Sequence, residues 1–164
     1  MIIDFHSHFF PMSYLNALTK HNASIVFEAN ADGGGYMRSS NFKTEVHPAH
    51  HDVHQRVAAM DEAGIDFQCL TPTIPGVHTE DAELGVYLAQ QFNDGAAEMI
   101  AAYPERFTGI AVLPLQDPAA SVIELERAIT QLDLRGGALF TNINGQPIDD
   151  PVYRPLFELS LIHI

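Results

Sequence analysis

Short apolar runs along the chain alternate with longer segments in which apolar residues recur every three to four positions. The short runs predict β-strands at residues 2–6, 67–71, 107–113 and 137–140. The longer segments predict helices at residues 52–63, about 79–103, 117–132 and from residue 150 onward. Strands that alternate with helices are typical of a parallel sheet, and uniformly apolar strands indicate a sheet covered on both faces.

Residues that favour the ends of helices support these boundaries. Gly64 follows the first helix at the position that favours glycine, Thr79 is placed to cap the second, and Asp117-Pro118 is placed to open the third. Residues 13–48 show no clear period and are predicted to be irregular, with a turn at residues 32–35.

The number of strand–helix units leaves two architectures open. Four units are visible in 164 residues, whereas a closed (β/α)8 barrel needs eight in ~250 residues. The pattern therefore predicts an α/β fold that is either a small open sheet or the N-terminal half of a (β/α)8 TIM barrel with an insertion after the first strand.

The last six residues, Leu-Ser-Leu-Ile-His-Ile, follow the fourth predicted helix without a C-cap or a polar tail. The same six residues are the in-frame translation of CTGTCTCTTATACACATC, a transposon-adapter sequence used in DNA library preparation. We therefore predict a partial barrel domain at residues 1–158 and a non-native tail at residues 159–164. A natural apolar C-terminus is the alternative, and resequencing the gene beyond Glu158 separates the two.

Charge and composition narrow the classes of function. With 8 Lys+Arg against 21 Asp+Glu, the net charge of −13 disfavours nucleic-acid binding. No apolar run approaches the ~18–20 residues of a membrane span, and the N-terminus does not resemble a signal peptide. The single cysteine, Cys69, excludes internal disulfides. We expect a cytoplasmic protein with no nucleic-acid or membrane partner.

The segment Asp4-Phe5-His6-Ser7-His8 contains the strongest chemical signal. Alternate residues of a strand point to one side, so His6 and His8 present two imidazoles at the carboxyl end of the first strand. In a barrel this end forms the mouth of the active site. Two imidazoles on a rigid element supply half of a zinc-type site, and Asp4 could be a weak ligand or could support a ligand. A pair of solvated histidines is the alternative.

Residues 3–11, Ile-Asp-Phe-His-Ser-His-Phe-Phe-Pro, resemble the opening strand of the amidohydrolase superfamily. They are most similar to the branch that contains aminocarboxymuconate-semialdehyde decarboxylase and related metal-dependent decarboxylases. The similarity continues at residues 56–66, 93–94, 104–107, 113–118 and 144–151. It implies a barrel about twice this length, in which His6 and His8 are metal ligands and the remaining ligands and catalytic residues lie beyond this chain. No catalytic residue is assigned here, and His163 follows Glu158 too closely to be given the ligand role of a fifth strand.

The resemblance also implies a cofactor and a reaction. The cofactor is one divalent metal, with Zn²⁺ favoured and Mn²⁺ as the alternative. The predicted reaction of the full-length form is removal of CO2 from a carboxylated aromatic or muconate-like substrate, a small-molecule carboxylate. Two alternatives stay open: a metal-dependent hydrolase of an ester, lactone or amide, and an inactive fragment or subunit of a split barrel. The full-length protein could form a homodimer.

A basic residue in the insertion is a candidate for substrate binding. The resemblance places a basic residue after an Asn-Phe pair, where it meets a substrate carboxylate, and here Lys43 follows Asn41-Phe42. The family pattern has arginine at this point, and lysine offers a point charge rather than a planar fork. An exposed loop lysine is the alternative.

Other polar residues are given less weight. Four histidines close to the first predicted helix are interpreted as solvated residues at its entrance, although two of them could share a helical face and bind a metal: His47, His50, His51 and His54. Asn142 and Asn144 follow the fourth predicted strand and could either touch substrate or form a turn.

Overall fold

The computed structural model describes residues 1–74 and 76–162 of the chain. The strands are β1 (Ile3–His8), β2 (Val26–Ala29), β3 (Gly35–Arg38), β4 (Lys43–Val46), β5 (Phe67–Thr71), β6 (Phe107–Gly109), β7 (Asn142–Ile143) and β8 (Gln146–Pro147). The α-helices are α1 (Met12–Lys20), α2 (Val53–Ala63), α3 (Ala82–Ala102), α4 (Pro118–Thr130) and α5 (Arg154–Ile162), with single 3₁₀ turns at Pro48–His50 and Pro151–Tyr153.

A parallel sheet in the order β1–β5–β6 forms the centre of the structure. The strands are separated in sequence by helices α2 and α3, as the alternating pattern predicts. The register between β1 and β5 shifts between Asp4 and Ser7, where the pairing changes from Gln68 to Leu70. This irregularity lies in the segment that contains the two histidines of the predicted metal site.

The fourth predicted strand, at residues 137–140, is wrong in extent. It is reduced to a single parallel bridge between Ala111 and Gly137, held by hydrogen bonds from the Ala111 amide to Gly136 O and from the Ala138 amide to Ala111 O. Two adjacent glycines weaken a strand because they supply no side chain to pack. The third strand correspondingly ends at Gly109 rather than at residue 113.

The helices begin and end close to the predicted residues. Asp52 caps α2 by accepting hydrogen bonds from the amides of His54 and Gln55, and Gly64 ends it with a φ of 69°. Asp117 caps α4 by accepting from the Ala120 amide. The predicted N-cap of α3, Thr79, is wrong. The helix is capped by Asp81, whose carboxylate accepts a hydrogen bond from the Leu84 amide at 2.9 Å.

The insertion is not irregular, contrary to the prediction for residues 13–48. It contains α1 and an antiparallel sheet in the order β2–β3–β4, with a turn in which Gly33 has a φ of 83°. Each of these strands is four residues long, too short to give a clear period. Their buried side chains, Phe27, Met37 and Val46, belong to the same hydrophobic core as β5 and the helices.

A buried polar cluster joins α3, α4 and the segment after β6. Asn93 is fully buried, donates to Val112 O at 2.9 Å and accepts from the Val112 amide at 2.8 Å. It also donates to Glu124 at 2.6 Å, and Arg127 donates to both oxygens of that carboxylate. Buried polar groups are stable when they are paired in this way, so the cluster fixes the two helices against the sheet.

The C-terminal helix α5 extends to Ile162, and His163 and Ile164 lie outside the described residues. The non-native tail at residues 159–164 therefore stays a prediction. Among residues 1–74 and 76–162, the structure contains no helix that is both long and apolar enough to span a membrane.

Candidate metal centre

The carboxyl end of β1 brings two imidazoles together. The Nε2 atoms of His6 and His8 lie 2.7 Å apart, and the ring centroids are separated by 4.7 Å in an edge-on arrangement. His6 is exposed and His8 is half-buried. Burial lowers the pKa of His8, and the nearby charges of His6 and Arg56 lower it further. A lowered pKa favours the neutral imidazole, which is the form that binds a metal ion.

The two ring nitrogens are close enough to serve as neighbouring ligands of one divalent metal. Two imidazole nitrogens that each bind a tetrahedral zinc ion at ~2.0–2.1 Å lie roughly 3.3–3.4 Å from one another. The observed separation of 2.7 Å is ~0.6 Å shorter, so the two rings must move slightly apart to hold the metal. In the part of the chain that the structure describes, no group of three or more His, Cys, Asp or Glu side chains is arranged to hold a metal. The predicted role of His6 and His8 as metal ligands therefore stays a prediction, and the two would supply only part of a ligand set.

Asp4 does not join the two histidines as a third ligand in this structure. One carboxylate oxygen accepts a hydrogen bond from the His6 amide at 3.2 Å, and the other accepts from Gln68 Nε2 at 3.0 Å. The carboxylate therefore supports the backbone that presents His6, which is the second of the two roles considered from the sequence.

Arg56 of α2 fixes the end of β1 from the buried side. Its guanidinium donates to His8 O at 2.9 Å, to the Ser7 hydroxyl and to Ala49 O at 3.1 Å, and the residue is only 5% exposed. Its Nε donates to Gln68 Oε1 at 2.9 Å. Burial lowers the pKa of Arg56 to about 10, and the charge of Asp4 opposes this shift. The side chain stays protonated at neutral pH and can make all of these bonds.

A cavity of about 420 Å³ lies against the histidine pair. Its lining includes His6, His8, His47, His50 and Arg56. The insertion, which extends from the end of β1 to the start of α2, therefore contributes two histidines to the same cavity as β1.

His50 corrects the interpretation of the histidine cluster as solvated residues. It is half-buried in the cavity wall, and burial, followed by the charge of Arg56 and those of neighbouring histidines, lowers its pKa to about 4. His50 and His54 do not share a helical face, since His54 lies on α2 and its Nδ1 is 2.9 Å from the hydroxyl of Tyr103.

Lys43, the residue predicted to meet a substrate carboxylate, is the first residue of β4 and is exposed. Its ammonium group lies 4.1 Å from the centroid of the Tyr36 ring, in a cation–π contact. It is not among the described residues that line the cavity of His6 and His8. A substrate contact by Lys43 therefore stays a prediction.

Asn142 and Asn144 take part in a turn. Asn144 and Gly145 have φ values of 52° and 87°, as a two-residue hairpin turn between β7 and β8 requires. Asn144 Nδ2 also donates to His78 O at 2.8 Å, which ties the hairpin to the loop after β5. These contacts agree with the turn interpretation of the two residues.

Comparison with known proteins decides the family. A family model described as amidohydrolase matches residues 3–160. The chain belongs to the amidohydrolase family. The 2-amino-3-carboxymuconate-6-semialdehyde decarboxylase of Dictyostelium discoideum is 30% identical over 95% of this chain and 45% of that protein. This amidohydrolase chain thus spans about half the length of the curated relative, and the family predicted from the residues is confirmed.

Solved structures of relatives share the fold. The 5-carboxyvanillate decarboxylase LigW from Sphingomonas paucimobilis superimposes with a TM-score of 0.73 and 31% identity, over 96% of this amidohydrolase chain and 48% of that one. A dihydroxybenzoic acid decarboxylase from Polaromonas sp. JS666, with bound manganese and the inhibitor 2-nitroresorcinol, gives a TM-score of 0.69 and 26% identity over 98% and 46%. The half-barrel architecture with an insertion after the first strand is confirmed.

Sequence reasoning missed two polar residues around the pair, Arg56 and Gln68, and it interpreted a third, His50, as a solvated residue. Arg56 lies four residues before Met60, and both are buried on one face of α2. A charged residue on the apolar face of a predicted helix is the signal that could have identified it. His50 gives no comparable signal, because its place in the cavity depends on contacts with residues distant in sequence.

Proposed function

We propose that the full-length protein is a metal-dependent lyase that removes CO2 from a carboxylated aromatic or muconate-like substrate. The observation that supports this most directly is the His6–His8 pair at the carboxyl end of β1, with ring nitrogens 2.7 Å apart. The pair occurs in a chain whose relatives include decarboxylases of aminocarboxymuconate semialdehyde and of γ-resorcylate. Substrates of both kinds are small carboxylates, which is the substrate class that we propose here.

His6 and His8 would hold one divalent metal, and both Zn²⁺ and Mn²⁺ are candidates. The manganese in the Polaromonas relative supports the second of these. A metal bound at this point would polarise a substrate oxygen or lower the pKa of a bound water. The chain's own contribution is orientation: Asp4 holds the His6 amide, and Arg56 holds the His8 carbonyl.

Three further parts of the proposal concern the substrate contact, the compartment and the assembly. Lys43 is one proposed contact for the substrate carboxylate, and to make it the ammonium must leave the Tyr36 ring. Cys69, the single cysteine of the chain, is a buried free thiol, and a chain without a disulfide is typical of a reducing compartment such as the cytoplasm. A homodimer of the full-length protein is tested by its sedimentation.

The reaction is tested with the full-length protein, depleted of metal and reloaded with Mn²⁺ or Zn²⁺. We expect metal-dependent CO2 release from 2,6-dihydroxybenzoate or 5-carboxyvanillate. In His6→Ala and His8→Ala we expect loss of bound metal and a decrease in rate of at least about 100-fold. His21→Ala, which changes an exposed histidine at the end of α1, is the matched control.

Two outcomes would contradict the proposal. Hydrolysis of an ester, lactone or amide without CO2 release would favour the hydrolase, and unchanged metal content in both histidine variants would place the metal elsewhere. Zn²⁺ titration of the 164-residue chain tests the alternative of an inactive fragment. Tight stoichiometric binding to this chain alone would contradict that alternative.

A further inference from the structure

The backbone around His50 is bonded directly to the segment that presents the metal-site histidines. The Phe10 amide, two residues beyond His8, donates to His50 O at 2.9 Å. Arg56 holds the preceding carbonyl, Ala49 O, at 3.1 Å while it also holds His8 O. The backbone at residues 49 and 50 is therefore linked to the end of β1 by one direct hydrogen bond and by the bridge through Arg56, although 42 positions separate His50 from His8 in sequence.

The hydrogen bonds of the ring define which nitrogen bears the proton. The backbone N–H of His47 donates to His50 Nδ1 at 3.0 Å. A neutral imidazole has one acceptor and one donor nitrogen, so an accepting Nδ1 places the proton on Nε2. The Phe10 ring packs edge-on against the imidazole, with centroids 5.5 Å apart, which restricts rotation of the ring. His50 is thus a neutral hydrogen-bond donor in the cavity wall.

We propose that His50 is a substrate-binding residue that donates Nε2–H to the carboxylate of a small aromatic or muconate-like acid in the cavity of His6 and His8. The chemical class of this ligand rests on the proposed function. A neutral donor binds an anion without bringing another positive charge next to two metal ligands. Arg56, the cationic residue in the cavity lining, already donates to backbone and side-chain acceptors of the protein.

Binding of two matched probes tests this role. Calorimetry on the Mn²⁺-loaded full-length protein compares 2,6-dihydroxybenzoate with resorcinol, which lacks only the carboxylate. In His50→Leu we expect binding of the acid to weaken roughly 10- to 100-fold, as for a lost hydrogen bond to a charged group, with little change for resorcinol. His50→Gln retains a donor near the position of Nε2 and should recover part of the loss. His54→Leu, which changes an exposed histidine of α2, should bind both probes as the unaltered protein does.

A second measurement is independent of the reaction and of metal. Long-range ¹H–¹⁵N spectra of the histidine rings in the metal-free protein should show the Nε2–H tautomer for His50. The Nδ1–H tautomer would overturn the inference, as would equal affinities of His50→Leu and the unaltered protein for the acid, or no binding of the acid to the unaltered protein. These binding and NMR measurements do not depend on CO2 release. A protein that binds the acid through His50 but releases no CO2 would contradict the proposed function and not the role of His50.

Discussion

The parallel sheet and the insertion both contribute histidines to one cavity, but they are specified by different kinds of interaction. In β5, four of five residues are buried, so the strand is visible as an apolar run in the local sequence. In β2, only one of four residues is buried, and the strand exists because it pairs with β3. The sheet is therefore encoded mainly by local composition and the insertion by tertiary contacts. A strand of four residues can form part of a regular sheet although its sequence shows no hydrophobic period.

The two regions also differ in what they supply to the site. The sheet provides the His6–His8 pair, and the insertion provides His47 and His50. Arg56 bonds to both regions, through His8 O in β1 and Ala49 O at the end of the insertion. Substitutions of residues that join the two regions, or that belong to only one of them, test this comparison.

The largest effect is expected from Arg56→Met, which removes the link between the regions. The methionine fills much of the space but leaves His8 O, Ala49 O and Gln68 without their buried donor. We expect a loss of about 3 kcal/mol in the free energy of unfolding, measured by urea denaturation. Arg106→Met is the control, since Arg106 also donates to backbone carbonyls, those of Ile65 and Asp66 immediately before β5. A loss no greater than that of the control would show that Arg56 does not link the regions.

A smaller effect is expected from Gly35→Ala, which tests the packing inside the insertion. A Cβ at this position would overlap Glu28 O and lie 2.6 Å from Cε2 of Phe27. We expect a destabilisation of about 2 kcal/mol. Gly136→Ala, where an added Cβ meets no atom within 4 Å, should change stability by less than about 1 kcal/mol. Equal thermal midpoints for the two variants would mean that the antiparallel sheet is loosely packed.

Asp52→Ala addresses the boundary between the insertion and α2. The carboxylate accepts from the amides of His54 and Gln55 at 2.9 and 3.1 Å, and these bonds lower its pKa. We expect a loss of about 1 kcal/mol, as is usual for an N-cap, with no change in the amide exchange of β2 and β3. Asp52→Asn retains an acceptor and should restore most of the stability. Faster exchange in β2 and β3 would mean that the cap also supports the insertion.

The smallest expected effect is on the pH dependence of stability. It compares His78, which follows β5 of the parallel sheet, with His21 of the insertion. His78, in the loop after β5, is half-buried against Phe140, and burial lowers its pKa from 6.5. The unfolded state then binds a proton more readily than the folded state, so stability present above pH 6.5 is lost as the pH falls below it. We expect the urea midpoint of the unaltered protein to decrease from pH 7 to pH 5, and to decrease less in His78→Gln. His21→Gln, which changes an exposed residue at the end of α1, should show the same change of urea midpoint with pH as the unaltered protein. If the midpoint changes with pH equally in both variants, His78 is not the source of the pH dependence.

The sequence was sufficient for features whose cause is local. The bounds of α2 and β5 agree with the prediction because Asp52, Gly64 and a continuous apolar run act within a few residues. The His6–His8 spacing was visible for the same reason. The cap of α3 was misplaced by two residues because Thr79 and Asp81 are both good caps, and the choice depends on which one reaches a free amide.

Other features depend on contacts between distant residues, which no local pattern encodes. Arg56 and His8 O are 48 positions apart, and Phe10 and His50 are 40 positions apart. The Ala111–Gly137 bridge replaces a predicted strand because its pairing depends on the neighbouring backbone rather than on apolar side chains. The site can therefore be located from the sequence, whereas the residues that shape it require the fold.

The first strand is tethered at both ends by side chains from elsewhere in the chain. Near its start the Asp66 carboxylate accepts from the Ile2 amide at 2.6 Å, and at its end Arg56 donates to His8 O. The register shift lies between these two anchors, next to Phe5, whose side chain is 73% exposed. The backbone on either side of the shift is consequently held by a side chain from outside the strand, so the irregular step that carries His6 is fixed from both directions.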